Sequence, residues 1–120
     1  MSATFGLSPT QWALARDEIR AILIETASHQ EMITYGSLAS RLRSVQLEPN
    51  STALATLLGE ISQAEDDAGR GLLTVIVVRQ DDPMPGQGFF KLAEQRGRDT
   101  ADREKLWLKE LSHVHATWSR

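Results

Sequence analysis

Leu72-Leu73-Thr74-Val75-Ile76-Val77-Val78 is a β-branched run in a chain otherwise patterned for helices, and it dictates that the fold is mixed. The run is bounded by Gly71 on one side and by Gln80-Asp81-Asp82-Pro83 on the other, which reads as a buried strand. Asp82-Pro83-Met84-Pro85-Gly86-Gln87-Gly88 follows, and its two prolines and two glycines exclude both a helix and the interior of a ladder. The segment therefore predicts a hairpin connection, with Phe89-Phe90-Lys91-Leu92 as the return strand.

The rest of the chain has helical signatures. Ser8, Pro9 and Gln11 occupy cap, first-turn and capping-box positions, and Trp12, Ala15, Ile19, Ile22 and Leu23 recur at three- and four-residue steps behind them. Met32-Ile33-Thr34 is a short β-prone segment, and residues 36–42 predict a short second helix. Pro49-Asn50-Ser51-Thr52 supplies turn and cap residues for a third, with Leu54, Leu57, Leu58 and Ile61 as its buried stripe and an end near residues 67–69. A last helix over residues 100–118 would bury Trp107, Leu111, Val114 and Trp118. The expected class is α+β, mainly helical. Residues 1–120 form a single winged-helix-like domain, with a two-stranded hairpin wing and an extra C-terminal helix.

The 120 residues suit one domain, and no apolar run approaches the roughly 20 residues of a membrane span, so no membrane association is expected. Met1-Ser2-Ala3-Thr4-Phe5 has no basic region followed by an apolar block, which makes a cytoplasmic location the default expectation. The absence of cysteine removes disulfides, thiolate metal sites and thiol chemistry together. A net charge of −3 has the wrong sign for bulk electrostatic attraction to nucleic acid. Its distribution is uneven: residues 33–58 carry +1 and residues 69–98 carry +2, whereas residues 60–67 carry −4.

Thr34-Tyr35-Gly36-Ser37-Leu38-Ala39 and Ala55-Thr56-Leu57-Leu58-Gly59, followed by the aliphatic run, give the chain a resemblance to the C-terminal DNA-binding domain of alkylguanine-DNA alkyltransferases and alkyltransferase-like proteins. The resemblance spans residues 8–115 and implies a winged helix whose third helix enters a major groove. Tyr35 matches the family tyrosine that helps rotate the target phosphate. Thr56 falls where the family has the arginine that fills the gap left by a flipped base, and a small polar side chain cannot support the opened stack. Neither Pro-Cys-His-Arg nor Pro-Trp-His-Arg occurs, so the acceptor thiol and its histidine relay are both missing and alkyl transfer is excluded. The expected function is a non-enzymatic DNA-binding protein, a sensor of modified bases, with duplex DNA as partner.

Asn50, Ser51 and Thr52 would then place a helix amino terminus at a phosphate, although Ser51 and Thr52 also read as ordinary caps. Arg41, Arg43, Arg79 and Lys91 would add phosphate contacts, and Thr56 would present its methyl or hydroxyl to a base edge. Glu60 and the acidic cluster after it would oppose deep insertion by like-charge repulsion. The competing reading is a protein-interaction adaptor on a scaffold that has lost DNA binding, using Met84, Phe89 and Phe90 on the hairpin or Trp118 near the end of the last helix. No metal or other cofactor is expected: His113 and His115 point to different faces of a helix, His29 stands alone, and Asp66-Asp67 and Asp81-Asp82 read as turn residues. No Gly-rich phosphate loop or nucleophile elbow occurs.

Overall fold

The computed structural model describes residues 5–119; Met1, Ser2, Ala3 and Thr4, on which the leader reading rests, lie outside the described residues together with Arg120. Among the described residues there are five α-helices and one two-stranded parallel sheet. Helix α1 spans Pro9–Ser28, strand β1 Ile33–Thr34, α2 Tyr35–Arg41 and α3 Thr52–Asp67. A 3-10 turn over Leu73–Ile76 leads into β2, Val77–Val78, and α4 (Gln87–Gln95) and α5 (Arg103–Trp118) complete the order. None of these helices is long and apolar enough to cross a membrane.

Local chemistry sets the helix starts. The Ser8 hydroxyl accepts from the Gln11 N–H at 3.1 Å while the Gln11 side chain accepts from the Ser8 N–H at 2.9 Å, a complete capping box ahead of Pro9. Thr34, Ser51 and Asp102 cap α2, α3 and α5 in the same manner. Helices α1 and α3 and the 3-10 turn surround the core, with Ile19, Leu23, Leu54, Leu57, Ile61, Leu73, Val75 and Ile76 almost entirely excluded from solvent. Helix α5 closes the opposite side of α1, but its buried line is Leu106, Glu110 and Val114, while Trp107, Leu111 and Trp118 are half-buried.

The hairpin wing is not formed. Residues 72–78 are buried throughout, as their composition requires, yet only Val77–Val78 is strand, and its partner is Ile33–Thr34 in parallel register. The preceding turn takes its hydrogen bonds from helices rather than a ladder. The Leu72 N–H donates to the Glu110 carboxylate at 3.0 Å and the Thr74 N–H to the Ser62 hydroxyl at 3.1 Å, which satisfies the buried backbone without a neighbouring strand. The predicted return strand is the start of α4. Adjacent aromatics in a strand point to opposite faces, so one of Phe89 and Phe90 would have met water in a two-stranded wing. On a helix both enter the core, at 6% and 4% exposure, in an edge-to-face pair 5.3 Å apart.

Gly71 is the tightest joint. Its φ of +85° is a left-handed conformation that favours glycine, and a Cβ there would lie 2.5 Å from His113 Cδ2 on α5.

Candidate nucleic-acid interface

Tyr35 begins α2 directly after β1, and its half-buried side chain reaches the loop ahead of α4, where the hydroxyl accepts from the Gly86 N–H at 3.0 Å. A Cβ on Gly86 would sit 3.0 Å from that hydroxyl, so glycine permits the approach. Burial pushes the Tyr35 pKa up, against the opposing effects of Gly86 and Arg79. The phenol therefore stays protonated and keeps its own O–H as a donor.

A groove of about 480 Å³ runs past this tyrosine. Asn50 and Ser51 at the amino end of α3 form one wall with Pro49 and Ala55, and Arg79, Gln80 and Asp81 after β2 form the other. Four of the expected contact residues, Tyr35, Asn50, Ser51 and Arg79, are thus brought together from distant parts of the chain. The Ser51 hydroxyl is engaged as a helix cap, accepting from the Leu54 N–H at 3.2 Å. Arg79 is exposed and lies 3.9 Å from Asp81 and 3.4 Å from Asp82, an ion-pair arrangement worth little in water.

Gly36 and Pro49 of this groove also line a second concavity of about 570 Å³ between α2 and the loop over residues 42–51. Ser40 and Arg43 of the second line a third, about 530 Å³, walled by Glu18, Ile22 and Arg41. The three are neighbours that share lining residues, with Arg79 and Tyr35 at the first and Arg41 at the third. Arg41 and Arg43 are both exposed on it.

The remaining expected residues lie elsewhere. Thr52 is exposed at the first turn of α3, and Thr56 is half-buried with its hydroxyl donating to the Thr52 carbonyl at 2.8 Å; neither residue lines the groove. Lys91 is exposed on α4 rather than on a wing, because residues 89–92 are helical.

The acidic half of α3 is not the repulsive surface that the sequence suggests. Arg16 pairs with Glu60 at 2.9 Å, and both Arg20 and Arg70 hold the buried Glu65. Arg96 and Arg98 both bind Asp66, Arg96 also takes Asp67, and Arg98 continues to the buried Glu110 at 3.1 Å. The Arg98 guanidinium, with Arg96, holds the Asp66 carboxyl at about 2. For Glu65 burial opposes ionisation, but the hydrogen bonds from Arg70 and Arg20 win and the net pKa is lowered. Three of the five cations that made residues 69–98 look basic, Arg70, Arg96 and Arg98, are therefore committed to these carboxylates.

Beside Tyr35 and Ala55 is a smaller notch, about 130 Å³, formed with Leu58, Gly59, Thr74, Gly88, Phe89 and Leu92. Its only hydroxyl besides that of Tyr35 belongs to Thr74, which is 2.5 Å from the Ser62 hydroxyl in a buried pair. Sequence reading missed this pairing, which has no signal beyond a serine and a threonine each placed on an otherwise apolar face.

The apolar residues expected to meet a protein partner divide between the core and the surface. Phe89 and Phe90 are core, Met84 is half-buried, and the half-buried Trp118 ring is covered by the guanidinium groups of Arg20 and Arg70 at 5.8 and 5.7 Å. Among the described residues no three His, Cys, Asp or Glu side chains are grouped so that they could hold a metal ion. No family model, curated protein or solved structure matches the chain.

Proposed function

We propose that this chain is a non-enzymatic duplex-DNA-binding domain of the alkyltransferase-like kind, in which the groove at Tyr35 receives the phosphate backbone. The observation that carries the reading is that Tyr35, Asn50 and Ser51 at the amino end of α3, and Arg79 line one groove, with Asp81 beside Arg79. Each is suited to a phosphate oxygen: a protonated phenol donates, the dipole at a helix amino terminus favours an anion, and an arginine adds charge. Arg41 and Arg43, exposed on a neighbouring concavity, extend the contact to further phosphates. The pairing of α3's acids with arginines weakens the repulsion they would exert on a phosphate, while the net charge of −3 is unchanged.

The notch beside Tyr35 is where a modified base would be read, by shape rather than by reaction. Thr74 is a poor alkyl acceptor, since its hydroxyl is tied to Ser62 and no hydrogen bond from the pair reaches a titratable side chain among the described residues. The wing of a winged helix has no counterpart here, so the relationship proposed is with the helical core of that fold. An adaptor role is disfavoured by the burial of Phe89 and Phe90.

The test is a fluorescence-anisotropy titration into a labelled short duplex, with and without one O6-alkylguanine, at low salt. Binding that weakens steeply with salt and is tighter for the modified duplex is expected. Equal binding to both duplexes would remove the sensor role, and no binding at low salt would remove DNA altogether.

A further inference from the structure

Glu18, on α1, is bonded in a way that a scaffold helix does not require. Its Oε2 accepts from the Arg43 N–H at 2.8 Å, and its Oε1 accepts from the Ser44 N–H at 3.0 Å and from the Ser44 hydroxyl at 2.7 Å. Two successive backbone N–H groups and a hydroxyl thus converge on one carboxylate, a set of donors that a phosphate could take in its place. Exposed Arg41 and Arg43 flank it, and with Glu18 they line a concavity of about 530 Å³.

We infer that the loop at Arg43 and Ser44 is a phosphate seat that Glu18 occupies in the resting protein. The inference deepens the DNA reading, on which it rests for the identity of the phosphate's carrier. An intramolecular carboxylate competes at an effective concentration of millimolar order or above, which closes the seat to free phosphate. A backbone phosphodiester, a monoanion like the carboxylate, would take the same three donors with added attraction from Arg41 and Arg43, and Glu18 would swing out into the concavity beside it. Glu18 thereby sets a threshold on backbone binding at this end of the surface and weakens contact with nonspecific phosphate.

The experiment follows the amide resonances of Arg43 and Ser44 during titration of inorganic phosphate at constant ionic strength, with chloride as control. Glu18→Ala should show saturable shifts at both amides and bind phosphate at least about tenfold tighter than the unaltered protein, since the internal competitor is gone. Adding Ser44→Ala should reverse much of that gain. If Glu18→Ala loosens the loop, Glu18→Gln decides: it keeps an acceptor for the loop while removing the charge, and should still bind phosphate tighter. Unchanged or weaker phosphate binding in Glu18→Gln overturns the seat and leaves Glu18 as a tie between α1 and the loop. Tighter phosphate binding without any DNA binding in either protein would leave the seat standing and refute the DNA reading instead.

Discussion

Asp66→Asn isolates the charge network that frees α3 from self-repulsion. Arg98 donates to both Asp66 oxygens at 2.7 and 2.8 Å, Arg96 adds a bond at 2.7 Å, and the Asp66 side chain is only 14% exposed. A carboxyl held at about 2 in the folded protein, against about 3.9 in an unfolded chain, favours folding by about 2.5 kcal/mol once ionised. Because the folded value is the lower one, this stabilisation is complete above about pH 5 and is lost as pH falls through about 4 toward 2; near pH 3 about half remains. Asparagine keeps the shape and removes the titration. Urea unfolding of both proteins at pH 7 and pH 3 should therefore show a stability difference that shrinks by more than about 1 kcal/mol at the lower pH. A difference that is the same at both values would refute the argument, since the lost interactions would then be independent of Asp66 ionisation.

Four further outcomes are expected. Phe90→Ala should cost about 3–5 kcal/mol in chemical denaturation, as for a core aromatic, whereas an exposed wing residue would cost almost nothing. Gly71→Ala should lose more than about 2 kcal/mol through its left-handed backbone and the clash with His113, and thermal melting should show partial recovery when His113→Ala is added. Tyr35→Phe leaves the Gly86 N–H without its acceptor, so it should cost about 1 kcal/mol of stability and also weaken duplex binding measured by anisotropy. Arg41→Ala with Arg43→Ala should reduce duplex affinity and flatten its salt dependence while leaving the melting temperature nearly unchanged; an unaltered salt slope would exclude these arginines from the contact.

The parts of this fold that local chemistry determines could be read from the sequence. The box at Ser8 and Gln11 and the cap at Ser51 involve residues three apart, and the start of α1, with most of α3, followed from them. The errors lie where partners are distant. Residues 72–78 read as buried and are, but their turn depends on Ser62 and Glu110, 12 and 38 residues from the groups they bind. Phe89-Phe90 fits either period over four residues, and only the presence of a core beneath α4 selects the helix. Segment charge counts misled for the same reason, since Arg98 and Asp66 are 32 residues apart in sequence. Tyr35, Asn50, Ser51 and Arg79 could each be named from the sequence, while the bond that ties the Tyr35 hydroxyl to Gly86, 51 residues on, could not.

The most direct test of the proposed interface is a two-dimensional amide NMR titration of the isotopically labelled protein with a short duplex at low salt. The account predicts that the largest shifts fall on Gly36, Asn50, Ser51 and Arg79, with smaller ones at Arg41 and Arg43. Shifts confined to the exposed face of α5, around Leu108 and Ser112, or no shifts at all, would contradict it.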